Sequence, residues 1–338
     1  MKKQTLAVTS MIALLLSVAS PFTNAQGPAY AAGQAPPAVK PEMKTLAQLD
    51  KNVVEAARQA MQKQAGDVPI ELDEIRGETA DCWVITAKNN RGEVLVTKQE
   101  GKVVSVTVKL KFSEVATDLQ NTVTSTLKGM DNQHAFTIDW VERINWEKQN
   151  IWLFKGQHAS VSIDAATGKV NSAKLHYTNE QINPKVTDTA QKALKSLSNG
   201  KASALLPEVT LVKESKERLD QVWDFMDTEG KYSIVIGAKT GIVVAATLIS
   251  EFINENYTAD EDIPKVFAKP FFTKEKAIAA ANPMMKKVFN LDLTGYNVSS
   301  KYNVYTFTKK GQPTVTASIN HKGVFHDFVV TPENGLIN

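Results

Sequence analysis

The sequence predicts an α+β fold of tandem units, each with one helix packed on a three- to four-stranded antiparallel sheet. Three observations predict it: segments with a helical apolar face, segments in which apolar and polar residues alternate, and the recurrence of both along the chain. An isolated helix leaves its apolar face in water, and an isolated small sheet is only marginally stable. Packing one on the other buries both apolar faces.

The amino-terminal segment has the pattern of a secretory signal peptide. Lys2 and Lys3 precede a mostly apolar run at 6–18, and small residues follow up to Ala25. The sequence therefore predicts a signal peptide over 1–25 and a secreted or cell-wall-associated protein. Because no later stretch reaches the roughly 20 apolar residues that span a bilayer, we expect no membrane span after cleavage. Residues 26–44 are rich in Ala and Pro and predict a linker.

Four segments have apolar residues three or four positions apart and are expected to form helices. They are 46–64, 115–127, 186–197 and 272–288. Ser113, Thr187 and Thr273 stand near the starts of three of them, where a side-chain oxygen can accept a hydrogen bond from a free backbone N–H group. Segments with strand alternation follow each helix.

The stretch "HASVSIDAATGKV" shows the chemistry expected of these strands and their turns. Ala159, Val161 and Ile163 alternate with polar residues, which gives a strand one buried and one wet face. The turn "DAATG" ends in Gly168, because glycine adopts a positive φ at little steric cost. Asp164 at its start can bond back to the chain. The stretch therefore predicts a hairpin turn rather than a ligand loop.

An aromatic residue followed by a glycine recurs four times, at distances of 18, 16, 18 and 18 residues. The second copy alone carries a full Asp, Thr and Gly set in its turn. The predicted repeat signature consists of Trp83, Gly101, Trp152, Asp164, Thr167, Gly168, Trp223, Thr240, Gly241, Tyr305 and Gly323. The corresponding units are predicted at 45–112, 113–182, 183–252 and 272–338, with a linker at 253–271.

Composition and motifs favour neither catalysis nor nucleic-acid binding. Without Lys2 and Lys3 the chain is nearly neutral and lacks a basic field for nucleic acid. Cys82 is the only cysteine, so it forms no internal disulfide, and we expect it to be a small buried residue. Walker A, G-x-S-x-G, G-x-G-x-x-G and H-E-x-x-H motifs are absent. The sequence predicts no catalytic residue, no cofactor and no metal ligand.

Two tryptophans, Trp140 and Trp146, fit no position of the repeat. Aromatic side chains of this kind pack in cores, but they also line surfaces that bind peptides or carbohydrates. Core packing is the expected role of both, and a binding surface is the alternative.

The hairpins, above all "SIDAATGKV", resemble the PepSY domain, whose last two strands carry a similar pattern of Asp, Thr and Gly. The tandem copies and the signal peptide resemble the YcdB/YcdC repeated-domain proteins of Bacillus-like bacteria. The resemblance covers most of 46–332. It implies a secreted, non-catalytic module, since PepSY domains occur in propeptides of secreted metallopeptidases, where they bind or restrain peptidases, and in cell-envelope proteins.

The leading functional hypothesis is a binding protein of the cell envelope or the medium. It would bind proteins or extended peptides through exposed sheet edges, including a secreted peptidase that it restrains. The alternative is a structural cell-envelope or sporulation-related protein, bound to a cell-wall component, whose repeats act as spacers. A third hypothesis, a hydrolase with a degenerate site, needs a cleft with converging polar groups.

Overall fold

The computed structural model describes residues 44–146, 149–201, 204–214, 221–253 and 262–333. The predicted signal peptide and nearly all of the predicted linker at 26–44 lie outside the described residues. The described residues of 44–333 belong to one compact unit.

Four long helices are each followed along the chain by four strands, and we call each such set a group. The long helices are α1 (Lys51–Ala65), α2 (Thr117–Met130), α3 (Pro184–Leu197) and α6 (Lys274–Phe289), and the short ones are α4 (Ile249–Ile253) and α5 (Ile263–Val266). The strands of the first two groups are β1 (Leu72–Glu78), β2 (Cys82–Ala87), β3 (Gly92–Thr97), β4 (Val103–Leu110), β5 (Trp140–Trp146), β6 (Gln149–Lys155), β7 (Ala159–Asp164) and β8 (Val170–Thr178). Those of the last two are β9 (Glu208–Glu214), β10 (Gln221–Met226), β11 (Tyr232–Gly237), β12 (Val243–Leu248), β13 (Asn297–Lys301), β14 (Val304–Thr308), β15 (Thr314–Ile319) and β16 (Phe325–Thr331).

These 16 strands form one antiparallel sheet, so the prediction of tandem units with separate three- to four-stranded sheets is wrong. The groups join because β4 pairs with β5, β8 with β9 and β12 with β16. An unpaired edge strand leaves backbone N–H and C=O groups without partners, and each join satisfies two such edges. The sequence pattern of each group is compatible with both arrangements, since it does not specify what lies beyond the edge strands.

The core lies between one face of this sheet and the long helices. Register pairs link Tyr305, Ala317, Phe328, Ala246 and Ile234 in one row across the strands, so these side chains share a face. The main apolar cluster runs from Leu49 to Val288 and includes buried residues of α1, α2 and α3. A second cluster packs α6 on the last four strands. Because the main cluster extends across several groups, they do not have one separate core each.

The strand order reverses in the last group. In the first joins, the last strand of one group pairs with the first strand of the next, as β4 does with β5. In the final join, β12 pairs with β16, which is the last strand of its own group. As a result, both edges of the sheet are first strands, β1 at one end and β13 at the other.

The helical periodicity is confirmed in the four long helices, but the predicted N-caps are confirmed only in part. Thr273 precedes α6, and its side chain accepts a hydrogen bond from the backbone of Lys276. The other two positions are wrong, since Ala116 stands at the N-cap of α2 and Asn183 at that of α3. In α3, Pro184 has no N–H group to be capped, and helix formation begins there, before Thr187.

The predicted unit boundaries lie at different kinds of places in the fold. Those at 112/113 and 182/183 fall in the connections after β4 and β8, whereas 252/253 falls within α4. Whether the segments behave as units remains a prediction. Of the helices in the described residues, none is long and apolar enough to cross a bilayer.

Candidate binding site at the edge of the sheet

The four signature glycines lie in the turn between the third and fourth strands of their groups. Gly101, Gly168, Gly241 and Gly323 have φ values of 64°, 68°, 65° and 75°. A positive φ is the conformation that a glycine adopts with little strain. The positive φ at these turn positions therefore explains why glycine recurs there.

The polar residues of the signature close their own turns. The Asp164 Oδ1 atom accepts hydrogen bonds from the backbone of Ala166 and Thr167 at 3.1 and 2.8 Å, and from the Thr167 hydroxyl at 2.8 Å. The Thr240 hydroxyl accepts one from the backbone of Ile242 at 3.3 Å. Side-chain to backbone bonds of this kind specify a turn, and they account for these residues without a ligand.

The signature aromatics lie on the second strand of each group and differ in their surroundings. The Lys98 ammonium lies 4.7 Å from the ring centre of Trp83, and the Arg143 guanidinium lies 5.2 Å from that of Trp152. Trp223 contacts the ring of Tyr177, whereas Tyr305 is 1% exposed. Trp140 and Trp146, which the repeat left unassigned, are 41% and 49% exposed, so the expectation that they pack in the core is wrong. Cys82 is buried, as predicted.

A carboxylate at the end of α2 has a strongly shifted pKa. Burial acts to raise the pKa of Asp131, but hydrogen bonds from the Tyr177 hydroxyl, the Gln133 backbone and the His134 ring outweigh it and lower the pKa to about 2. The Tyr177 hydroxyl donates to Asp131 Oδ2 at 2.6 Å, and His134 Nδ1 lies 2.7 Å from the same atom. These contacts hold the end of α2 against β8, and this structural role accounts for the lowered pKa of Asp131.

Replacing Asp131 with asparagine is expected to remove a pH dependence of stability. A carboxylate whose pKa is depressed by folding stabilises the protein above its ordinary pKa of 3.8, and this stabilisation is lost as the pH falls towards 2. D131N should therefore lower the free energy of unfolding by about 1 kcal/mol at neutral pH and flatten its decrease between these pH values. Urea unfolding at several pH values measures this. The control is D188N, at an exposed position of α3, and an unchanged pH profile in D131N would contradict the account.

One cleft brings three signature residues together. Trp223, Thr240 and Gly241 line a cleft of about 480 Å³, together with Asn183 and Lys185 at the start of α3 and Lys239 in the turn. The strands below it are interior strands of the sheet, and their backbone groups are paired on both sides. A ligand in this cleft could therefore contact side chains but could not pair with these strands.

A second cleft lies beside the edge strand β13 and has a volume of about 640 Å³. The segment that enters α6 forms one wall, and β13 and β14 form the other. The hydroxyl of Tyr305 on β14 accepts a hydrogen bond from the backbone of Phe272 at 2.8 Å, which holds the two walls together. Beside Phe272, the ring of Phe271 is 48% exposed. Within the described part of the chain, the lining also includes Lys274 and Lys276 and no acidic residue.

The backbone of β13 has hydrogen-bonding groups that point away from the sheet. Lys301 and Val304 pair across a two-residue turn, so their backbone groups bond to each other. Pairing then alternates along the hairpin, and the N–H and C=O groups of Val298 and Ser300 face the open side. No strand of the described residues pairs with that side of β13.

The opposite edge, β1, differs in two respects. Its register with β2 is interrupted twice, on either side of Ile75. Its charged side chains form ion pairs, from Arg76 to Glu93 at 2.5 Å and from Glu78 to Lys98 at 2.6 Å. Irregular register and charge are features that keep an edge strand from pairing with another chain. By contrast β13 is regular along its length, so it is the better candidate for a binding edge.

Comparison of the chain with protein-family models and with curated proteins finds no match. The PepSY resemblance therefore remains an expectation from the quoted hairpins.

Sequence reasoning singled out Tyr305 only as a residue of the repeat signature and did not indicate this site. Phe271, Phe272 and the two lysines fall at the junction of the predicted linker with the predicted fourth unit. The paired aromatics "FF" directly before a capped helix were the available signal. Nothing in the sequence of β13 indicates that it is an edge strand, because its pattern resembles that of the other short strands.

Proposed function

We propose that this chain is a binding protein that captures an extended segment of another protein or peptide by adding it as a strand to β13. The observation that carries the proposal is that residues 298–300 of β13, an edge strand of the sheet, line the second cleft. Strand addition needs both features: main-chain hydrogen bonds give affinity, and a pocket for alternate side chains gives specificity.

The open edge supports several hydrogen bonds. Val298 and Ser300 each offer one N–H and one C=O group, and each such bond contributes on the order of 1 kcal/mol. Apolar burial in the cleft adds about 25 cal/mol per Å² of area removed from water. The Tyr305 hydroxyl bond keeps the cleft formed before the ligand arrives, which lowers the entropy cost of binding.

The predicted signal peptide supports a site of action outside the cell. With a signal peptide predicted over 1–25, the partner is an extended peptide or a secreted peptidase in the cell envelope or the medium. A peptidase bound through a segment near its own active site would be restrained, which agrees with what the PepSY resemblance implies. The chain itself acts here without catalysis.

Replacing Ser300 with proline is expected to weaken this binding strongly. Proline removes the outward N–H group and leaves the bonds between β13 and β14 in place, as tolerated on an edge strand. A library of short random peptides, displayed and selected against the wild-type chain, supplies the ligands. The affinity of the selected peptides should fall at least about tenfold with S300P. This is the effect expected from losing roughly one hydrogen bond together with the register that this bond fixes.

The matched control is S300A, which changes the same side chain but keeps the N–H group, and it should bind as the wild type does. Circular dichroism shows whether both variants remain folded. If selected peptides bind S300P and S300A equally well, strand addition at β13 is wrong. The inhibitor role has its own test, since a secreted peptidase restrained by the wild-type chain should keep its activity with S300P.

A further inference from the structure

Two joins within the sheet show which kind of strand pairs with the first strand of a group. The first strand of the second group, β5, receives β4, and the first strand of the third group, β9, receives β8. Both incoming strands run antiparallel to their partners. The edge of β13 corresponds to these two edges, but the reversed order of the last group leaves it without a partner among the described strands.

The hairpins that follow β5 and β13 fix how the two strands correspond. Trp146 pairs with Gln149 across two intervening residues, as Lys301 does with Val304. Counting back from these positions, Asn145 of β5 corresponds to Ser300 of β13. Arg143 in turn corresponds to Val298, and the side chains of both strands alternate in the same sense.

The strand β4 therefore serves as a template for the ligand. Val106 lies opposite Asn145 and Val108 opposite Arg143, and both valines are buried on the face that carries the helices. Thr107 lies between them and faces the other side. Transferred to β13, the template places apolar residues opposite Ser300 and Val298 and a hydroxyl residue between them.

The second template has the same pattern. Along β8, Ala173, Leu175 and Tyr177 are buried, and Lys174 and His176 alternate with them. Leu175 lies opposite Leu211 of β9. Both strands that pair with the first strand of a following group, β4 and β8, therefore alternate buried apolar residues with polar residues that face outward.

The charge of the cleft adds a further feature. Lys274 and Lys276 line it, and within the described residues neither forms an ion pair. The segment entering α6 lies near the carboxyl end of β13, because Ser300 pairs with Tyr305, whose hydroxyl holds Phe272. The amino end of an antiparallel ligand would lie at this same end. Acidic side chains there would be attracted to the lysines.

We infer that the ligand of β13 is an antiparallel segment with apolar residues at alternate positions, polar residues between them, and acidic residues at its amino end. This inference rests on the proposed function and specifies its ligand. The apolar residues enter the cleft beside Phe271 and Phe272, and the acidic residues face the start of α6.

Synthetic fluorescent peptides test the inference by anisotropy with the full chain. The first peptide copies β4, "VVSVTVKL", and carries two added aspartates at its amino end. The second carries two lysines there instead, and the third has the aspartates but a permuted order without alternation. We expect the first peptide to bind about threefold to tenfold more tightly than the second, the range for two exposed ion pairs. The third should not bind measurably.

The double variant K274E/K276E should reverse the preference between the first two peptides, and K286E/K287E, at the far end of the same helix, should leave it unchanged. Equal binding of the first two peptides to all chains would overturn the acidic feature. Equal binding of the first and third would overturn the alternation. If peptides from the random library depend on the Ser300 N–H group while none of the three binds, the ligand class is wrong and the proposed function stands. If no peptide responds to S300P, the proposed function itself fails.

Discussion

Replacing Gly156 with alanine is expected to lower the free energy of unfolding by about 3 kcal/mol. Gly156 lies in the turn between β6 and β7, and its N–H group donates to the backbone of Ala159. A Cβ atom there would lie 1.8 Å from the carbonyl oxygen of Thr137 and 2.9 Å from its carbonyl carbon. Because these are backbone atoms, no side-chain rotation relieves the overlap, and the segment before β5 must move. Urea unfolding followed by circular dichroism measures the loss.

The matched control for this prediction is G168A. Gly168 has a φ of 68°, but a Cβ atom there meets nothing within 4 Å. Its replacement should cost only the strain of a positive φ, about 1 kcal/mol. Losses of equal size in G156A and G168A would contradict the close approach to Thr137. The larger loss of stability is thus expected at Gly156, which is not part of the repeat signature, and the smaller loss at Gly168, which is.

Replacing Tyr305 with alanine is expected to cost about 3–5 kcal/mol of stability. Its ring is 1% exposed and contacts Phe325 and Phe272 at centroid distances of 5.5 and 6.0 Å. Truncation would leave a cavity under the wall of the cleft beside β13. Thermal and urea unfolding both report the loss, and peptide binding at β13 should fall with it.

Two further variants divide this effect into its parts. Y305F keeps the ring but leaves the Phe272 N–H group without its acceptor, at a cost of about 1 kcal/mol. W83A truncates the corresponding aromatic of the first group, which is only partly buried and lies beneath the ammonium groups of Lys44 and Lys98. Its loss should be smaller than that of Y305A. A loss in W83A as large as in Y305A would show that the four signature aromatics are energetically equivalent, contrary to their burial.

Part of the candidate site follows from the sequence. Tyr305 belongs to the repeat, and Thr273 was expected to cap the helix that begins beside the cleft. The cap depends on residues a few positions apart, and the assignment of Tyr305 depends on the 18-residue distance to Gly323 that recurs along the chain. The contact between Tyr305 and Phe272 joins residues that are far apart in the chain, and no local pattern indicates it. The preference for an acidic ligand likewise depends on Lys274 and Lys276 being next to β13 in space.

The local elements follow from the amino-acid sequence alone: the four long helices, the alternating strands and the glycine turns at positive φ. These are decided by interactions within a few residues, namely side-chain periodicity, capping and the steric freedom of glycine. Tertiary packing is needed to join the strands into one sheet, to reverse the last group and to leave β13 without a partner among the described strands. The physical reason is that backbone hydrogen bonds are the same for every residue, so any first strand can accept any last strand. Which edges meet is settled by the packing of the helices and strands together, and the candidate binding site is the edge that this packing leaves without a partner among the described strands.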